Sequence, residues 1–89
     1  MTSCPKINPM YRLQFEKAQK GYVLLYPEGM VKLSESASEV LTRIDGATSA
    51  EDIVKALQEK FPDAADFIAA DVNEFLADAL AKNWINYDA

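Results

Sequence analysis

The stretch VLLYPEGMVKLSESASEVL, residues 23–41, most constrains the fold because its pattern changes twice within nineteen residues. An apolar run is interrupted by Pro27 and Gly29, residue types that close a tight turn between two strands. Shortly afterwards Ser34 and Ser36 precede a helical pattern, and Ser36 has a capping-box spacing with Glu39. The stretch therefore predicts a hairpin that is joined directly to a helix.

The strands are predicted from alternation. Residues 11–15, YRLQF, alternate large apolar with polar side chains, which is typical of a half-buried strand. Residues 22–26, YVLLY, are apolar on both faces and are predicted to form the central strand. Pro27 to Gly29 is expected to form a three-residue loop with a bulge, followed by a short third strand over residues 30–33. Nothing later in the sequence obviously pairs with this third strand.

Two short helices are predicted next. Ser34 or Ser36 caps the first, and Gly46 ends it. Thr48 with Glu51 has a second capping-box spacing. This spacing predicts a second helix that begins at Thr48 and is stopped by Pro62.

A third helix is predicted from about Ala64 to Lys82, with Asn83 as its left-handed cap. The order is three strands and then three helices. This order predicts an α+β fold of the winged helix-turn-helix type, with a three-stranded antiparallel sheet. We expect residues 1–10 to form a flexible tail and residues 11–89 to form a single domain.

Composition excludes several kinds of site. The chain has 89 residues, no His and one Cys, so it cannot assemble a Cys/His zinc site, a Cys-His pair or a Ser-His-Asp relay. We therefore expect no catalytic residue, no metal and no cofactor. The sequence contains neither an apolar segment long enough to span a membrane nor a signal-peptide pattern, so we expect a cytoplasmic protein with no membrane partner.

The charge is unevenly distributed. The net charge is −5, and residues 46–89 contain three basic against nine acidic side chains. An acidic third helix is repelled by phosphates, so no nucleic-acid partner is expected, although a winged-helix DNA-binding protein is the alternative function. Asp71, Glu74 and Asp78 share one face of that helix. This face is either simply solvated or forms an acidic groove wall that attracts a basic peptide.

The third strand offers a more specific hypothesis. An edge strand presents unpaired N–H and C=O groups that can template an incoming strand, and Lys32 can equally serve to block such pairing. Phe67 lies beside the apolar stripe of the third helix, close to Asp71 and Asp78, where it can line a groove. An unpaired edge can also pair with a second copy of the chain, so a homodimer stays open.

The same stretch, followed by IDG, DVNEFL and NWI, resembles the pyrroloquinoline-quinone (PQQ) biosynthesis protein D family, PqqD, from about Tyr11 to Ile85. Asn83 stands where that family usually has Gly, and Phe15 where Trp is common. The resemblance implies a non-catalytic peptide chaperone, a recognition element for a ribosomally made precursor peptide, which it presents to a radical S-adenosylmethionine enzyme. The precursor is expected to bind as an added strand beside the third strand, in the cleft toward the third helix. The expected peptide-binding residues are Met30, Val31, Lys32, Leu33, Phe67, Asp71, Phe75 and Asp78.

Overall fold

The computed structural model describes residues 4–87 of the chain. The elements, in chain order, are β1 Pro5–Ile7, β2 Arg12–Glu16, β3 Gly21–Tyr26, β4 Gly29–Lys32, α1 Glu35–Leu41, α2 Ala50–Lys60, a 3₁₀ turn Pro62–Ala64, α3 Ala65–Ala81 and β5 Ile85–Tyr87. Strands β2, β3 and β4 form a three-stranded antiparallel sheet that precedes three helices. The predicted α+β class is confirmed.

Strand β3 occupies the centre of this sheet, as its sequence predicts. Val23 and Leu24 point to opposite faces, and both side chains are completely buried. Leu24 lies opposite Leu13 of β2 and Val31 of β4. Both faces of the middle strand are therefore covered, which explains why its apolar residues do not alternate with polar ones.

The turn between β3 and β4 differs from the prediction. Tyr26 lies directly opposite Gly29, so Pro27 and Glu28 alone form the turn. The register then continues without interruption to the pair Val23–Lys32. Because no extra residue interrupts this register, the expected three-residue loop with a bulge is wrong.

Segments near the two ends of the described chain pair as a two-stranded ribbon. The sequence instead predicts that residues 1–10 form a flexible tail. Strand β1 pairs antiparallel with β5, and Ile7 lies opposite Ile85, which is 1% exposed. The Asn8 backbone N–H donates to the Trp84 carbonyl at 2.9 Å, and its Nδ2 donates to the Asn83 carbonyl at 2.8 Å. The tail prediction is wrong for residues 5–7, which form strand β1. A three-residue strand is too short to show periodicity in the sequence. Residues 1–3 of the predicted tail lie outside the described residues.

The start of α1 is decided by Ser34, one of the two serines that the sequence leaves open. Its Oγ accepts a hydrogen bond from the backbone N–H of Ala37 at 3.1 Å. The helix ends at Leu41, earlier than the Gly46 stop predicts. Val40, Leu41 and the following Ile44 are nevertheless buried in the core.

Helix α2 begins one residue later than its sequence pattern suggests. Ser49 is the N-cap, and its Oγ accepts from the Asp52 backbone N–H at 3.1 Å. Thr48, the predicted cap, instead donates its hydroxyl to the Asp45 carboxylate at 3.1 Å. Asp45 also accepts hydrogen bonds from the backbone N–H groups of Ala47 and Thr48, in the turn before α2. These hydrogen bonds lower the pKa of the Asp45 carboxyl group. This turn therefore displaces the cap from Thr48.

Helix α3 provides the long apolar stripe that the sequence predicts. It is followed by Asn83 in the left-handed conformation, with φ of 64°. The core lies between the inner face of the three-stranded sheet and the three helices. Its buried members are Val40, Leu41, Ile44, Ile53, Leu57, Ile68, Val72, Leu76, Ala79 and Ile85.

Candidate functional site

A groove of about 940 Å³ lies between the sheet and the helices. Its walls come from the end of β4, the β2–β3 turn, α1, the end of α2 and α3. Its apolar floor is formed by Leu33, Val40, Leu57, Ile68, Val72 and Phe75. A concave apolar surface of this size is suited to bind the side chains of a peptide segment.

Strand β4 presents an open backbone edge beside this groove. The Leu33 backbone N–H donates to the Tyr22 carbonyl at 3.1 Å, which makes these residues a hydrogen-bonded pair in the β3–β4 register. Hydrogen-bonded and non-bonded pairs alternate in antiparallel strands. The backbone N–H and C=O groups of Met30 and Lys32 therefore point away from β3. Within residues 4–87 these groups have no hydrogen-bond partner.

Three aromatic side chains, absent from the expected site residues, also line the groove. Phe15 contacts Tyr22 edge to face with 5.3 Å between ring centroids, and Phe15 is 53% exposed. Phe61 lies just after α2, where the Lys60 ammonium group sits 5.4 Å from its ring centroid. The sequence signal that Phe61 could line a groove was its position immediately before Pro62. A residue at the end of a helix need not belong to the buried stripe of that helix. Phe15 and Tyr22 gave no such signal, since their alternation indicated only burial.

The groove contains as many cations as anions. Lys20, Lys32 and Lys60 line it together with Glu35, Glu39 and Asp71. Of the three carboxylates expected to form an acidic wall, Asp71 lines the groove, whereas Glu74 and Asp78 do not. The charges that line the groove cancel, although the net charge of the chain is −5.

Glu39 is held by two cations. Its carboxylate accepts from Lys60 Nζ at 2.7 Å and from Arg43 Nη1 at 3.1 Å. The hydrogen bond from Lys60 is the main cause that lowers the pKa of the Glu39 carboxyl group. Burial is the next largest effect and opposes it, and the hydrogen bond from Arg43 adds to the lowering. Because Glu39 belongs to α1 and Lys60 to α2, this bridge joins two walls of the groove.

The expected site residues are only partly brought together. Lys32, Leu33, Asp71 and Phe75 line the groove. Met30 and Val31 lie on the same strand but do not line it, and Met30 is 43% exposed. Phe67, Glu74 and Asp78 are exposed on α3 outside the lining, with Phe67 68% exposed.

In residues 4–87, no three His, Cys, Asp or Glu side chains lie close enough together to hold a metal ion. Within the same residues, no helix combines the length and the apolar character needed to cross a bilayer.

Comparison with known proteins agrees with this architecture. The family model "Coenzyme PQQ synthesis protein D (PqqD)" matches residues 21–85. The chain is 47% identical over 81 residues to a PqqA binding protein of Acinetobacter baylyi, covering 91% of this chain and 81% of that one. It is also 47% identical over 85 residues to a PqqA binding protein of Azotobacter vinelandii, covering 96% of this chain and 91% of that one.

A solved structure has the same fold. It is the solution NMR structure of the PqqD truncation of Methylobacterium extorquens PqqCD, described as a functional and stand-alone recognition element for ribosomally synthesized and post-translationally modified peptides. The TM-score is 0.75 at 28% identity, with 92% of this chain and 87% of that chain covered. The open-edged sheet, the three helices and the family match together show that the chain belongs to the PqqD family.

Proposed function

We propose that this chain binds the PQQ precursor peptide as an added strand on β4 and presents it to a radical S-adenosylmethionine enzyme. The observation that carries the proposal is the open edge of β4 beside an apolar groove. The names of the relatives from Acinetobacter baylyi and Azotobacter vinelandii, both PqqA binding proteins, support PqqA as the peptide. The Methylobacterium extorquens recognition element supports a binding role for the same fold.

The two parts of the site contribute differently to binding. The outward N–H and C=O groups of Met30 and Lys32 supply main-chain hydrogen bonds, which give affinity with little dependence on sequence. The floor residues Leu33, Val40 and Phe75 receive those peptide side chains that point inward. Burial of apolar surface there adds affinity and selects large apolar residues.

We further propose that the chain is not an enzyme. The sequence contains no His and one Cys, so the usual pairs of nucleophile and base are missing. In this proposal the precursor is modified by the partner enzyme, and the role of the chain is to hold the peptide in one register. Precursor peptide that is mixed with this chain and S-adenosylmethionine, without the partner enzyme, is expected to stay unmodified.

A titration tests the binding proposal. ¹⁵N-labelled protein is titrated with synthetic PqqA peptide, and backbone amide shifts are followed. Shifts are expected at residues 30–33 and along the groove side of α3, with the outward amides of Met30 and Lys32 gaining protection from exchange. Shifts confined to the far side of the sheet, or no shifts, would contradict the proposal. Duplex DNA at low salt is the control and is expected to give none.

The same edge can accept a second copy of the chain, so the oligomeric state is measured in parallel. Sedimentation of the protein at several concentrations, with and without PqqA peptide, separates the two occupants. If the peptide and a second copy compete for β4, saturating peptide converts any dimer to monomer. A dimer that survives saturation would mean that the copies meet elsewhere.

A further inference from the structure

We propose that Lys32 is a specificity-determining residue: the bound peptide segment carries an acidic residue opposite Lys32, with an apolar residue on each side of it. This inference rests on the proposed strand addition to β4. It names the side-chain pattern that the site selects, which main-chain bonding alone leaves open. Three observations carry it, namely the cross-strand rows of the sheet, the lack of an ion pair at Lys32 and the composition of the groove floor.

The cross-strand rows fix which peptide side chains lie on which face. Gln14, Val23 and Lys32 lie opposite one another and share one face of the sheet, the face opposite to that of Val31 and Leu33. Val23 is completely buried in the middle of that row. A strand added beyond β4 extends every row by one residue, whichever direction it runs. The peptide residue opposite Lys32 therefore has its side chain beside the lysine stem, on the face that Lys32 shares with Val23.

The adjacent rows lie on the other face. Val31 and Leu33 point inward, and Leu33 continues the row that starts at Phe15 and Tyr22. The peptide residues opposite Val31 and Leu33 therefore lie on the same face as Leu33, which belongs to the apolar floor. A charged residue at either position would lose hydration without a partner, so apolar residues are selected there. These two residues flank the one that faces Lys32.

The charge at Lys32 is available to a ligand. Within the described residues its ammonium group forms no ion pair, whereas Lys60 in the same groove is bound to Glu39. Lys20 adds a second unpaired cation to the lining. Directly opposed charges on neighbouring strands attract, and like charges repel. An acidic peptide side chain is thus favoured beside Lys32 and a basic one is disfavoured.

Lys32 also discourages edge-to-edge aggregation, and this simpler role makes a different prediction. If blocking were its only role, any charge at position 32 would serve and Glu would bind PqqA as well as Lys does. If Lys32 selects an acidic residue, Lys32→Glu weakens binding of the PqqA peptide. The sign of the charge at this position separates the two roles.

The test is a charge exchange between protein and peptide. Affinities of the wild-type chain and of Lys32→Glu are measured for PqqA peptide and for variants in which each acidic residue is singly replaced by Lys. Lys32→Glu is expected to weaken binding of unmodified PqqA by about fivefold. One peptide variant, with apolar neighbours at the replaced position, is expected to restore the affinity of Lys32→Glu. Lys55→Glu, which makes the same charge change on the exposed face of α2 outside the groove, is the control and is expected to bind as wild type.

The outcomes are distinguishable from failure of the proposed function. Unchanged affinity of Lys32→Glu overturns the selective role while leaving strand addition intact. A loss that no single peptide variant restores, or that Lys55→Glu reproduces, also overturns it, because the effect would then come from net charge. Absence of binding between wild-type chain and PqqA would overturn both proposals.

Discussion

At the scale of single residues, Glu39 has the most connected side chain in the groove. It accepts hydrogen bonds from Lys60 and Arg43, and its side chain is 25% exposed. Ion pairs with this exposure contribute little stability, at most about 1 kcal/mol. Their more useful property is geometric, because the bridge fixes α1 against the end of α2 at the groove wall.

The Glu39 bridge predicts a pH effect. Because its cations lower the folded-state pKa of Glu39, its contribution to stability is fully present above the unfolded pKa of about 4.3 and is lost as pH falls through the folded value. Glu39→Gln is therefore expected to unfold with a weaker pH dependence below about pH 5. Urea unfolding from pH 7 to pH 3 measures it. Glu59→Gln, an exposed carboxylate of α2 with no ion pair in the described residues, is the control and should follow wild type.

Residue-scale sequence signals were only partly informative. The opposite charges of Glu39 and Lys60 are separated by 21 positions, and no spacing rule relates them, so the bridge could not be predicted. Asn83 was predictable, because a residue of a type that tolerates left-handed geometry follows a long helix. Ser49 was predictable only to within one residue, since Thr48 offers the same capping chemistry.

At the scale of elements, the register of β4 decides which positions tolerate proline. Val31 forms a hydrogen-bonded pair with Leu24, whereas the Met30 and Lys32 N–H groups face the open edge. The existence of this strand is predictable from the sequence, but which of its backbone N–H groups face the open edge is not. Which backbone N–H groups of β4 face outward depends on where the turn begins, and the two-residue turn decides this.

A proline substitution on β4 is expected to act in two ways. Val31→Pro removes an N–H that bonds to β3, so the melting temperature should fall. Lys32→Pro removes an N–H that faces the peptide, so folding should be retained while PqqA affinity falls about tenfold. Thermal unfolding and calorimetric titration measure the two effects, and Lys32→Ala separates the lost N–H from the lost side chain.

The proline experiment has a clear failure. If Lys32→Pro and Met30→Pro both bind PqqA with wild-type affinity, β4 is not the docking edge. The exposed Phe67 face of α3 then becomes the better candidate for peptide contact. Loss of folding in Lys32→Pro would instead contradict the assigned parity.

At the scale of the whole molecule, the β1–β5 ribbon joins segments from the two ends of the described chain. Asn8 fastens it, since its backbone and side chain bond to the carbonyls of Trp84 and Asn83. The Asn8 Oδ1 also accepts from the Met10 backbone N–H at 3.0 Å. The ribbon contributes Ile85 of β5, which packs in the core with the helices.

Asn8→Ala is expected to destabilise the protein by about 1–2 kcal/mol, because two side-chain hydrogen bonds are lost. For a domain of this size that corresponds to a melting temperature roughly 5–15 °C lower. Asn86→Ala makes the same change on β5, where no side-chain hydrogen bond exists among the described residues, and it should stay within about 0.5 kcal/mol of wild type. Equal effects of the two substitutions would show that Asn8 is not the fastening residue.

The sequence by itself determined the order of β2, β3, β4 and the three helices, the central position of β3 and the family resemblance. These features depend on the local periodicity of apolar residues, such as Val23 and Leu24 or the stripe of α3, and periodicity is written in neighbouring positions. Only the tertiary structure decided the β1–β5 pairing, the outward parity of Met30 and Lys32, and the balanced charge of the groove. Each of these features depends on contacts between residues far apart in sequence. Such contacts are set by the folded chain, which decides which distant residues lie side by side, and no local pattern records them.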